Sequence, residues 1–466
     1  MAVHALWQDQ YALSYRKGPL DLSNKLDAAS TTLSDRDSAS HDDDGLSGNV
    51  TDNSKEYGGD QHFNGASLLV ADFGVGRVYG QMQSNDATNV TWIYGQPVTG
   101  NPTFSPGQNI LDFRKTNGDA IARIGGTTDE LGNADAYRGS QAPTFSCETI
   151  PTSKSLTSLL AGFFQHGLKE DSTTDAIKVA RFPKSSDGSD PLWVGAWLRK
   201  VSDTGADSQI LSDCIPTSLN FAVNTDGVLT ASSDWIGRIL VTDITASAYV
   251  TGSTAADRTL DDGRNYLMQD CQCLISNSAK SAHFLTELSD FSLNMSSNTV
   301  FQRYNSQFPV RYVMGDYTAE GSITIPWSSG LFDGTGIDED YFYRMLTSAG
   351  SSGTTPSAYL NPINIKLYWE TAANQFTGAS GTDEHSNIPT EVTSSRELHI
   401  LMHVIVTDVQ VVGDVEAELQ VSFRCMHKYN ASGTLEANAV AICTRDDIAQ
   451  SWGFAQASSL YTTETA

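Results

Sequence analysis

No apolar stretch approaches the ~20 residues that a membrane-spanning helix needs, so no helical membrane span is expected. Met1–Lys17 lacks the sustained apolar core of a secretory signal peptide, which points to synthesis and folding inside a cell. Basic residues are scarce: 29 Lys and Arg stand against 55 Asp and Glu, leaving a net charge of −26 over 466 residues. Phosphate contacts require Lys and Arg that displace counterions, so specific DNA binding is disfavoured. Letting DNA pass without adhering is compatible with the same charge. Charged residues of all kinds reach only 18%, below the usual ~25%, which argues against adaptation to high salt and for solubility through self-repulsion. Cysteine is sparse and scattered, at 147, 214, 271, 273, 425 and 443. Cys271-Gln-Cys273 has one intervening residue where a zinc or redox pair has two, so reduced structural thiols are expected.

Signatures of catalysis are missing as well. Gly74–Gly80 imitates a dinucleotide fingerprint but has three residues before its last glycine and no helical pattern after it. Ser40–Gly45 imitates the start of a calcium loop, yet Thr51 stands at position twelve, where glutamate is required. His399 and His403 have the spacing of a helical zinc pair, but no glutamate follows His399 and the segment reads as a strand, so surface or interface histidines are expected. Asp338, Glu339 and Asp340 suit the first turn of a helix. There is no nucleophile elbow, Walker loop, kinase set or carboxylate pair. We expect no catalytic, cofactor-binding or metal residues, no cofactor, and no enzymatic activity.

What is present is β texture, and it recurs. Thr149-Ile150-Pro151 precedes a helix pattern at Leu156, Leu159, Leu160, Phe163 and Phe164, then a hairpin at Asp213–Arg238 turning on Asn224–Gly227. Thr324-Ile325-Pro326 precedes a helix pattern at Ile337, Phe342, Met345 and Leu346, then a hairpin at Val404–Lys428. The offset is about 175 residues at the tripeptide and about 187 at the hairpin turn, a step absorbed by an insertion at Ser328–Gly336. Val415–Cys425 alternates apolar and polar residues, the pattern of a strand with one face on a core. Ile400–Val412 is nearly all apolar, as for a strand covered on both sides. Further strands are expected at Ser67–Tyr79, Asn89–Tyr94 and Thr144–Ile150, and the second unit opens with Phe284–Met295, which partly alternates, followed by Thr299–Met314 and Glu320–Trp327. The expected division is an acidic arm at 1–60, in which Trp7 and Tyr11 could anchor to a neighbour, β-domains at 61–245 and 246–446, and a tail at 447–466.

Pro143–Pro151 leading into Ser155–Leu160, Asp213–Gly237 with its Trp235-Ile236-Gly237, and Phe284–Trp327 with Glu320–Trp327 resemble tail tube proteins of long-tailed bacterial viruses. The resemblance implies two tandem tail-tube-like domains, each a β-sandwich or partly rolled β-sheet flanked by one α-helix. It also implies stacked rings around a conduit for DNA, and for a two-unit chain a homotrimer of pseudo-sixfold symmetry. Expected partners are further copies of the chain, the tape measure, tail-tip and tail-terminator proteins, and viral DNA held without specific contacts. No membrane partner is expected. The location would be the virion tail, after synthesis in host cytoplasm. Asp226, Asp234, Glu416 and Glu418 are candidates for an acidic lumen. The alternative is a virion surface or decoration β-protein, with Trp92, Trp193, Trp197 and Trp369 lining a glycan site.

Overall fold

The chain is seen in a computed structural model that describes residues 10–17, 92–95, 98–112, 136–153, 155–172, 177–184, 186–187, 193–200, 208–224, 227–237, 239–244, 265–277, 283–303, 311–326, 342, 362–369, 397–413, 417–445 and 455–457. It is mainly β, dominated by antiparallel strands, with one bounded α-helix among the described residues.

The first half holds β1 (Gln10–Lys17), β2 (Trp92–Gly95), β3 (Val98–Ser105), β4 (Gln108–Asp112), β5 (Ala136–Gln141), β6 (Thr144–Thr149), α1 (Leu156–Phe164), β7 (Leu168–Asp171), β8 (Ile177–Arg181), β9 (Trp193–Lys200), β10 (Ser208–Asn224), β11 (Thr230–Ile236) and β12 (Ile239–Ile244). The second half holds β13 (Cys271–Asn277), β14 (His283–Thr286), β15 (Asp290–Ser296), β16 (Val300–Gln302), β17 (Arg311–Val313), β18 (Thr318–Pro326), β19 (Ile363–Trp369), β20 (Leu398–Val412), β21 (Glu418–Cys425), β22 (Lys428–Tyr429), β23 (Leu435–Ala437), β24 (Val440–Arg445) and β25 (Ala455–Ala457).

Two long strands organise the rest. The first part of β10 pairs with β9 and β12, and its second part, from Ile215, pairs with β11 and β15. Beside β11 the register shifts between Pro216 and Ser218, a bulge where a proline without an N–H fits. Strand β20 behaves alike. Its Leu398–Val404 part lies between β19 and β24, and Val404–Val412 runs beside β21 with a shift between Val406 and Asp408. One sheet therefore reads β3-β6-β11-β10-β15-β18-β21-β20, antiparallel at every step. Two other sheets run β2-β1-β9-β10-β12 and β14-β13-β19-β20-β24-β8-β7-β25, with only β7–β25 parallel. The strand network is continuous. Traced pair by pair it branches at β10 and β20, and among the described residues no path returns to its start. Among the described residues the eight-strand sheet thus keeps two open edges, β3 and the Val404–Val412 part of β20.

The core lies between the layers. From the eight-strand sheet come Phe145, Leu219, Phe221, Val223, Leu293, Ile323, Val421 and Phe423, and from the opposing sheets Leu13, Trp197, Ile365, Leu367 and Ile400. Phe104, Phe145, Trp197 and Trp235 form a chain of rings with centroids 4.3, 4.8 and 5.5 Å apart. Each fully buried large apolar side chain contributes about 1.5–3 kcal/mol, which offsets the ordering of so many short strands. Tyr11, expected to anchor an arm in a neighbour, is buried in this chain's own core and stacks on Phe145 at 6.2 Å.

Helix α1 has the expected apolar stripe, but every one of its residues is buried, because it packs against β10, β8, β9 and β1. Thr152 and Ser155 close its start by reciprocal bonds: the Thr152 N–H donates to Ser155 Oγ at 2.9 Å and the Ser155 N–H to Thr152 Oγ1 at 3.2 Å. The residue of positive φ that ends it is Gln165 (φ 51°). At Gly167 a Cβ would sit 1.8 Å from the Arg181 carbonyl oxygen, so glycine is needed there. Of the second expected helix only Phe342 is described, and it is helical and buried. Phe284–Met295 contains most of β14 and β15, and Thr299–Met314 contains the paired strands β16 and β17. Ser40–Gly45, Ser67–Tyr79 and Gly74–Gly80 lie outside the described residues.

Candidate functional site

Alternation along all eight strands gives the large sheet one apolar and one polar face. Registers align the polar side chains in rows across it. One row runs Thr99, Glu148, Ser232, Asn220, Asn294, Glu320, Arg424. The next runs Thr230, Ala222, Ser292, Ser322, Ser422, Asp408. A third runs Asn224, Asp290, Thr324, Gln420, Gln410. Asp234 lies between Ser146 and Ser218, and Glu418 opposite Pro326 and Val412. Among the described residues the face carries six carboxylates, Glu148, Asp234, Asp290, Glu320, Asp408 and Glu418, against the single cation Arg424.

Lateral bonds tie these groups down. Thr99 Oγ1 donates to Glu148 Oε1 at 2.6 Å, Ser218 Oγ to Asp234 Oδ2 at 2.8 Å, and Gln410 Nε2 to Asp408 Oδ2 at 2.7 Å. Hydroxyls pair at Thr103–Ser146 (2.7 Å) and Ser292–Ser322 (2.9 Å). Burial, and then the neighbouring Glu418 carboxylate, push the Asp290 carboxyl above its ordinary value. Chemically this is a wide, hydroxyl-rich, anionic surface. It offers like-charge repulsion to a polyanion and hydrogen bonds to water.

Of the four acidic residues singled out in the sequence, Asp234 and Glu418 fall on this face, while Asp226 and Glu416 lie outside the described residues. Glu148, Asp290, Glu320 and Asp408 were missed. Strand parity could have found Glu148, two positions from Ser146, and Glu320, two from Ser322.

The two open edges frame the face. On β20, Val411 shares the inward side with the buried Val409 and faces the buried Leu419, yet it is 44% exposed. On β3, Phe104 is half-buried against the core. At the outer ends of neighbouring strands, two hairpins, β4–β5 and β16–β17, carry the exposed apolar residues Ile110 (66%), Val300 (57%) and Val313. Because β3 and β15 are four antiparallel steps apart they run the same way, so both hairpins leave the same end of the sheet.

The remaining candidates fall elsewhere. Trp197 and Trp369 are buried, so neither can line a surface glycan site. Trp92 and Trp193 lie outside the described side chains. His399 and His403 are buried, not at the surface, because β20 is covered on both faces there. His399 packs edge-on to Tyr368 at 4.8 Å, and His403 Nδ1 bonds the Met426 carbonyl at 2.8 Å. All six cysteines are free thiols. Burial pushes Cys147 and Cys273 up to about 12, and Cys271 and Cys425 above the ordinary thiol, so none of these four is a nucleophile near neutrality. No model of a known protein family matches the chain, and no curated protein matches it.

Proposed function

We propose that the chain is two copies of one β unit fused in tandem, and that it is a structural ring subunit of a tube that conducts DNA, as in the tail tubes of long-tailed viruses. The carrying observation is the recurrence of the pairing scheme. In the first half β1–β2, β1–β9, β3–β6, β4–β5, β6–β11, β10–β11, β9–β10 and β10–β12 are paired. In the second half β13–β14, β13–β19, β15–β18, β16–β17, β18–β21, β20–β21, β19–β20 and β20–β24 are paired in the same order. Even the bulges correspond, since β10 skips Thr217 beside β11 and β20 skips Thr407 beside β21. Eight recurring pairings and a matching bulge support descent of both halves from one copied unit.

The repeat also supports a ring. Unit one already docks on unit two through β10–β15, and the same step applied again leads from β20 to β3 of another chain. Three chains would supply 24 strands. With strands ~4.8 Å apart and tilted ~40°, such a cylinder measures about 50 Å across its backbone. Its polar, anionic side would face the bore and keep DNA from adhering. The apolar hairpins at one end would meet the next ring. Electron microscopy of the purified protein tests this: rings or stacked tubes are expected, whereas a monomer that persists at high concentration, even with tail-tip components, would refute the reading.

A further inference from the structure

We infer that the free edge of β20 takes β3 of a second copy of this chain, antiparallel, with Val411 opposite Phe104. The inference rests on the ring reading and adds to it a register and a selection rule. The template is the junction inside the chain, where β10 meets β15 with Asn220 opposite Asn294, Phe221 opposite Leu293 and Ala222 opposite Ser292.

Registers carry the template across. Ser218 faces Asp234 as Asp408 faces Ser422, so Phe221 corresponds to Val411. Asp234 faces Ser146 as Ser422 faces Ser322. Ser146 faces Thr103 as Ser322 faces Ser292, so Leu293 corresponds to Phe104. The neighbouring pairs would then be Gln410 with Ser105 and Val412 with Thr103, the first of which extends the polar row that ends at Gln410.

Two further observations bear on this junction. The first is exposure. Phe221, covered by β15, is 1% exposed, whereas Val411 is 44% exposed although Val409 beside it and Leu419 opposite it are buried. A side chain set inward but left open marks a place where a strand is missing. The second is size. The internal junction places phenylalanine on β10 and an aliphatic residue on β15; the external one would place the aliphatic residue on β20 and phenylalanine on β3. Each holds one ring and one branched chain. The mismatched combinations do not: β10 on β3 would oppose two phenylalanines, and β20 on β15 would leave valine against leucine with a gap. The edges therefore select each other, and units alternate around the ring.

The double variant F104C/V411C tests this. Antiparallel partners lie ~4.5–5.5 Å apart at Cα, within disulfide reach. Oxidation of assembled protein is expected to give a covalent ladder ending at three chains. F104C/V412C, whose side chains face opposite sides, should give none. V411F should lower assembly at least tenfold by overfilling, and V411F/F104L, which rebuilds the internal pair, should restore it. Rings that form normally while F104C/V411C fails to link, or rings indifferent to V411F, would overturn this junction and leave the ring reading standing. Wild-type protein that forms no rings would sink both. If the cysteine variant does not assemble, a wild-type ring map decides, and β20 lying beside any strand but β3 overturns the inference.

Discussion

A single arginine shows how charge is managed inside this β protein. Arg181 is buried and donates to Asp187 Oδ2 at 2.6 Å, with Lys169 Nζ 3.5 Å from the other oxygen. Burial alone would raise the Asp187 carboxyl, but Arg181, the Lys184 N–H and Lys169 together hold it below its ordinary value. A depressed carboxyl stabilises the fold above its unfolded value of ~3.9, and this stability is lost as pH falls through the folded value. Asp187→Asn would leave the Arg181 charge buried without its carboxylate, and a loss of about 3 kcal/mol in urea denaturation is expected. His427 responds with the opposite charge. Burial, then Lys184 and Arg181, push it below its ordinary value, so the folded state favours the neutral ring. Its contribution weakens once pH drops below ~6.5, where the unfolded ring takes a proton. His427→Gln should flatten the stability–pH slope just below that value, as read by thermal unfolding across the range.

Among the elements, the two exposed hairpins make the clearest forecast. Ile110→Asp combined with Val300→Asp should leave individual rings intact and reduce their stacking into tubes several-fold, measured by sedimentation and microscopy, because only the apolar contact at one end of the sheet is altered. The elements also show what a sequence can and cannot reveal. β21 was legible because one of its faces meets a core and the other meets solvent, so its residues alternate. The opening part of β20 is covered on both faces, so its residues carry no period, and the histidines within it looked free when they are enclosed. The matching tripeptides are the sharper lesson. Registers equate Cys147 with Ile323 and Thr149 with Ile325, so Thr149-Ile150-Pro151 and Thr324-Ile325-Pro326 are one residue out of step. In a strand one residue exchanges the two faces, and identical letters there point to opposite sides. The like order of strands in the two halves was readable in the sequence, whereas the acidic rows needed the registers. Glu148, Asp290, Glu320 and Asp408 come from four separate strands that only pairing aligns.

For the whole molecule, the account turns on the sign of the charge spread over the polar face. Converting Glu148, Asp234, Glu320 and Asp408 to lysine should leave the core untouched, since these groups lie on the solvent side. It should also create a surface that retains duplex DNA at low salt and releases it steeply as salt rises, read by filter binding. The wild-type surface should bind weakly at every salt concentration. The most direct measurement is the symmetry of the assembled wild-type protein in a cryo-electron microscopy map. The account requires three chains around one axis, 24 strands in a single closed wall, and each β20 seated on the next chain's β3. A lone subunit with both sheet edges bare, or an assembly joined through other surfaces, would contradict it.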